Sequence, residues 1–181
     1  MWKRMVFAAA LVVGASSMAF AAAEQGSTGL GVRFETINTG LHQDFGMRPD
    51  LILAYWATDN LVLEPRLGLA SGGAGSDSDF DLDTGLALDY YLGYGGPVNP
   101  YVGLSADLRY FSPDVGDSRT DFGMGLALGT EYFVNDSFSI IGEWNFNLLF
   151  ADDAGEPHDG YVNDQTTYNT GVALTARFYV R

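Results

Sequence analysis

Apolar and polar residues alternate with a period of two along most of this chain, the spacing of strands whose two faces meet different surroundings. Leu30, Val32 and Phe34 interleave with Gly29, Gly31, Arg33 and Glu35, and Leu61, Leu63, Leu67 and Leu69 with Val62, Glu64, Arg66 and Gly68. Phe80, Leu82, Leu86 and Leu88 oppose Asp81, Asp83, Ala87 and Asp89. Val102, Leu104, Ala106, Leu108 and Tyr110 oppose Gly103, Ser105, Asp107 and Arg109. The same rhythm sets Phe122, Met124, Leu126 and Leu128 against Asp121, Gly123, Gly125, Gly129 and Glu131. It then sets Ile140, Trp144, Phe146 and Leu148 against Ser139, Glu143, Asn145 and Asn147. The last stretch puts Tyr168, Val172, Leu174, Ala176 and Phe178 against Asn169, Gly171, Thr175 and Arg177. Pro49–Ala57 fits less cleanly, with Leu51, Leu53 and Tyr55 on one face and Ile52, Ala54 and Trp56 on the other.

These segments predict eight strands, most of them about 10 residues or longer, the length a tilted strand needs to cross a bilayer. Thr58-Asp59-Asn60 and Asn135-Asp136-Ser137 read as tight turns, and Gly93–Pro100 as a longer glycine- and proline-rich one. Longer polar loops are expected near 38–46, 71–79, 112–118 and 151–165. Short turns at one end and long loops at the other predict an all-β fold: an eight-stranded antiparallel up-and-down transmembrane barrel. A soluble sandwich also alternates, but rarely joins such long strands with so regular an asymmetry of loops.

The first residues change the setting. Met1-Trp2-Lys3-Arg4 is a basic start, Met5 to about Ala15 is apolar, and Ala19-Phe20-Ala21-Ala22-Ala23 offers two small-x-small cleavage sites. We expect a cleaved signal peptide over 1–23 and the barrel domain over 24–181. Without Lys3 and Arg4, the nine basic residues fall to seven, all arginine, against 23 acids. That balance excludes a binder of nucleic-acid phosphates, which needs a basic face. No cysteine is present, so no disulfide or thiolate metal site can form.

If the apolar face meets lipid, strand parity sends Arg33, Glu35, Glu64, Arg66, Asp81, Asp83, Asp89, Asp107, Arg109, Asp121, Glu131, Glu143 and Arg177 into the lumen. An eight-stranded barrel is only wide enough inside to be filled by side chains or to hold one small ligand. Buried charges need partners. We therefore expect an ion-pair network plugging the lumen, the alternative being a narrow cation-selective path. Aromatic residues near the strand ends suit membrane-interface belts. Tyr55, Trp56, Tyr90, Tyr91, Tyr101, Tyr132, Phe133, Phe138 and Phe178 fall near the turns, and Phe34, Phe80, Tyr110, Phe122, Phe150 and Tyr168 near the loops.

Three segments carry a resemblance. They are Gly95-Gly96-Pro97-Val98-Asn99-Pro100-Tyr101-Val102-Gly103-Leu104, Tyr55-Trp56-Ala57-Thr58-Asp59-Asn60-Leu61 and Tyr132-Phe133-Val134-Asn135-Asp136-Ser137-Phe138. With them the chain resembles the small outer-membrane β-barrel superfamily of Gram-negative bacteria: OmpA-like and OprF-like barrel domains, OmpX-like proteins and "porin family" barrels. The last strand, with Gly171, Val172, Leu174, Ala176 and Phe178, is similar to the assembly signal of such barrels, although it ends Tyr179-Val180-Arg181. The resemblance implies a cell outer-membrane location and partners in outer-membrane lipid, lipopolysaccharide and the barrel assembly machinery.

Sharper chemistry finds little support. His42 and His158 are the two histidines, both in expected loops and neither joined by a serine on a strand, so the lipid A-modifying enzymes of this shape are a poor match. Asp77 and Asp79 are weak metal candidates; the run they begin lacks the glycine and glutamate of a calcium loop. The expectation is a non-enzymatic monomer without cofactor, serving envelope integrity or a surface partner through its loops. The alternative is a narrow passive porin or a barrel for one small ligand.

Overall fold

The computed structural model describes residues 24–38, 47–72, 79–93, 96–112, 118–150 and 167–180. The expected signal peptide, both histidines, Asp77 and most of the long loops lie outside them. Eight strands run in chain order: β1 (Thr28–Asn38), β2 (Met47–Trp56), β3 (Leu61–Gly72), β4 (Asp79–Tyr91), β5 (Val98–Ser112), β6 (Arg119–Asn135), β7 (Phe138–Phe150) and β8 (Thr167–Val180). Each pairs antiparallel with its neighbour, and β1 pairs with β8 from Thr28↔Val180 to Asn38↔Thr170. The barrel is closed. Closure removes every sheet edge, which a strand inside hydrocarbon requires because no water is there to satisfy a bare backbone.

The alternation of the sequence becomes the two sides of the wall. Leu30, Leu53, Leu69, Leu104, Leu126, Leu128, Leu174 and Val172 all stand exposed on the outside. So continuous an apolar band on a folded chain is a lipid-facing surface. β2, where the pattern left the faces open, turns Leu51, Leu53 and Tyr55 outward and Ile52, Ala54 and Trp56 inward. β5 begins at Val98, inside the stretch expected as a turn, and takes Pro100 into the ladder opposite Thr130.

The turn end is ordered by local hydrogen bonds. Thr58 Oγ1 accepts from the N–H groups of Asn60 and Leu61, and Asn135 Oδ1 from that of Ser137. Gly26, at φ 87°, closes a turn before β1 and donates its N–H to Trp56 O at 2.8 Å. Between Phe133 and Asn135 the register slips, a bulge that leaves both Phe133 and Val134 buried. The ladder between β2 and β3 skips Leu53–Ala54 opposite Glu64–Pro65 and resumes at Tyr55↔Leu63. Pro65 has no N–H to donate there.

Candidate functional site: the barrel lumen

The inward side chains form two stacked polar layers. In the layer nearer the turns, Glu131 is fully buried and accepts from three hydroxyls: Tyr91 at 2.6 Å, Ser139 at 2.5 Å and Tyr179 at 2.6 Å. Arg177 reaches Glu131 at 3.5 Å, donates to the Tyr179 hydroxyl at 3.2 Å and pairs with Glu64. In the next layer Arg33 holds Glu35 at 2.5 Å, Glu143 at 2.8 Å and Asp50 at 3.5 Å. Tyr101 donates to the second oxygen of Glu143 at 2.5 Å, and Asn145 donates to Glu35 at 3.2 Å. Arg66 spans the layers, 3.5 Å from Glu64 and 4.0 Å from Glu143.

Every strand contributes to this arrangement, because period two brings the same face of each to the axis. Charge-assisted bonds of this kind are strong in a medium of low dielectric, and each charge would be costly alone. Asp89 is the exception. It is 1% exposed, yet neither of its carboxylate oxygens has a hydrogen-bond partner among the described residues.

Aromatic packing closes the turn end beneath the charges. Trp56 lies 4.6 Å from Tyr91 between ring centroids, Tyr91 lies 5.1 Å from Tyr101, and Phe133 stacks on Tyr179 at 5.5 Å. Ala54, Val62 and Ile141 complete the cluster. Four of these rings, Trp56, Tyr91, Tyr101 and Phe133, are ones that their place near strand ends suggests for the interface belt. They point into the barrel instead, since each lies on the inward face of its strand and is almost fully buried. Tyr55, Tyr90, Tyr132 and Phe178 do stand on the outside, as do Phe34, Phe80, Tyr110, Phe122, Phe150 and Tyr168 at the loop end.

Several inward glycines are receptors for a neighbour's side chain. A Cβ on Gly129 would overlap the Tyr101 ring, and one on Gly29 would meet Arg177 Cδ at 2.9 Å. At Gly68, Gly85 and Gly103 the added atom would strike a carboxylate oxygen of Asp50, Asp107 and Asp89 respectively. The carboxylates lie along the wall, over glycines of the next strand.

Of the thirteen residues expected to share a network, Arg33, Glu35, Glu64, Arg66, Glu131, Glu143 and Arg177 are linked by the ion pairs above. Asp107 sits nearer the loops, accepting from Ser105 at 3.0 Å. Asp83, Arg109 and Asp121 stand opposite one another in the ladders of β4, β5 and β6. Asp81 and the metal candidate Asp79 lie in β4, but their side chains are outside the described residues. Among the described residues no three acids or histidines converge as a metal site. Asp50 was missed. It sits directly opposite Arg33, on the one strand whose pattern left its faces undecided.

Residues 7–178 match the family described as outer membrane protein beta-barrel domain. The chain belongs to that family. With it comes an outer-membrane location. No curated protein matches the sequence. Among solved structures, the N-terminal β-barrel domain of Pseudomonas aeruginosa OprF is similar, with a TM-score of 0.60 at 14% identity over 86% of this chain and 100% of that one. Neisserial surface protein A gives 0.58 at 20% identity, over 85% of this chain and 95% of its own. The outer membrane protein OprG of Pseudomonas aeruginosa gives 0.52 at 15%, over 91% and 100%. At these identities the likeness is one of fold.

Proposed function

We propose that this family member is a non-enzymatic barrel, exported by the segment 1–23, whose lumen is shut and whose task is envelope integrity or surface contact through its loops. Its surroundings are then outer-membrane lipid and lipopolysaccharide, with the barrel assembly machinery as its route in, and it acts as a monomer. The observation that supports closure is the pair of stacked layers. Arg177 at 1% exposure, Glu131 at 0% and Tyr91 at 0% are closed off from bulk solvent. An eight-stranded barrel with large inward side chains is a packed core rather than a pore.

Planar-bilayer recording tests this reading. The refolded barrel is expected to insert without steady channels, and steady cation-selective steps would overturn closure in favour of passive passage. A second reading draws on the loop-side half, where Asp83, Ser105, Asp107 and Arg109 are only half-buried. That half is a cup in which one small ligand could sit above a closed floor.

A further inference from the structure

We propose that the closed lumen binds one small monovalent cation beside Asp89, an inference that rests on the lumen being closed. The deep end carries Glu64, Asp89, Glu131 and Glu143, all buried, against Arg66 and Arg177. Arg33 adds a third cation but is already divided among Glu35, Asp50 and Glu143. The deep end is therefore short of positive charge, and a buried carboxylate without a counter-charge is strongly disfavoured.

The shortfall has an address. Glu64 is met by Arg177 and Arg66, Glu131 by Arg177 and three hydroxyls, and Glu143 by Arg33, Arg66 and Tyr101. Asp89 is 1% exposed and both of its oxygens lack a partner. The groups facing it are Glu64 and Arg66 from β3, Tyr101 from β5, Glu143 from β7 and Arg177 from β8. Its carboxylate is seated over Gly103, where a side chain would collide with Oδ1, so shape rather than hydrogen bonding holds it.

The Nε atoms of Arg33, Arg66 and Arg177 are unpartnered as well, but each belongs to a guanidinium whose charge a carboxylate already meets. What is missing is positive charge near oxygen. Among the described residues no three acids converge here as a divalent ion would want, so the fitting occupant is a single sodium or potassium ion held by the Asp89 carboxylate itself.

The test is thermal unfolding of the refolded barrel in zwitterionic detergent, with choline chloride exchanged for NaCl or KCl at constant ionic strength and pH. The wild type is expected to melt about 5 °C higher once the ion is well above its Kd, with saturation. Asp89→Asn should lose that dependence and melt in choline at least as high as the wild type. Sodium-23 line widths give a reading that needs no variant: the wild type should broaden the signal, and potassium but not choline should reverse it.

A wild type indifferent to the cation, with no broadening, would overturn the site, as would equal responses from wild type and Asp89→Asn. Acidifying the choline sample from pH 7 to 5 supplies the remaining outcome. A rise is expected, because a proton relieves the same buried charge; if acid leaves the melting point unchanged and sodium adds nothing at either pH, a proton already occupies Asp89 at pH 7 and the proposal fails. Bilayer channels would refute closure whatever the sodium results, whereas a negative sodium result leaves closure standing.

Discussion

The two halves of the lumen share one backbone and differ in what fills it. Towards the turns, the inward positions hold Trp56, Tyr91, Tyr101, Phe133 and Tyr179, none more than 6% exposed. Towards the loops they hold Gly68, Asp83, Gly85, Ser105, Asp107, Gly123 and Gly125. In the first half large rings take up the volume, and three of the tyrosines give their hydroxyls to Glu131 or Glu143. In the second, the Asp50 and Asp107 carboxylates lie over Gly68 and Gly85, and Asp83, Ser105, Asp107 and Arg109 are only half-buried. Whether such a barrel is shut at a given depth depends on side-chain size at alternate positions, because strand number already fixes the wall.

The largest test of this difference removes one arginine from each half. Arg177→Ala leaves Glu131 without a cation and Glu64 with Arg66 alone in a closed layer, and should cost about 3–5 kcal/mol. Arg109→Ala, in the half-exposed half, should cost about 1 kcal/mol, still more than replacing an acid at a loop tip. Urea unfolding midpoints in detergent measure both, and equal losses would erase the distinction between the halves.

A second pair of variants asks how rigid each filling is. Gly129→Ala drives a methyl into the Tyr101 ring, which is 3% exposed and tied to Glu143 at 2.5 Å, so nothing can step aside. The cost should be about 1–3 kcal/mol. Gly85→Ala strikes the Asp107 carboxylate, the far end of a half-buried side chain, and comes to 3.1 Å from Ala106 O, which is tight but short of a collision. Its unfolding midpoint should stay within about 0.5 kcal/mol of the wild type. A large loss at Gly85 would mean that the loop-side half is packed as firmly as the other.

Much of this was legible in the sequence, and the omissions have identifiable causes. Strand count, order and lipid face follow from period two, since lipid and lumen make opposite demands on adjacent residues. β2 withheld its faces because Ile52, Ala54 and Trp56 are as apolar as Leu51, Leu53 and Tyr55. Apolar side chains fill a closed lumen floor as readily as they meet lipid. Asp50 went unplaced with them. The inward rings escape a belt reading because position along the strand does not tell which face a residue is on. Tyr91 shares parity with Asp89, Tyr101 with Gly103 and Phe133 with Glu131.

The smallest predicted effect concerns the wall of the closed half. Its filling is dense, yet the β2–β3 ladder skips Leu53–Ala54 at Pro65, just where Ala54 and Glu64 are buried against the lumen. The β1–β8 seam, which no covalent turn joins, is paired without a gap. Pro65→Val restores an N–H and places a β-branched side chain on an exposed, lipid-facing position. One recovered hydrogen bond adds about 0.5–1.5 kcal/mol. The freer unfolded chain takes back about 0.4–1 kcal/mol. The net change therefore lies between about −0.5 and about +1 kcal/mol. Amide exchange is the sharper measure: in the wild type the N–H groups of Leu53 and Tyr55, which face β3, should exchange faster than those of β5 and β6, and Pro65→Val should slow them. If they already exchange as slowly as β5 and β6, the skipped pairs are no weakness. Faster exchange with an intact lumen would mean that closure resides in the side chains, and that the wall tolerates a gap because Arg177, Glu131 and the rings seal the lumen behind it.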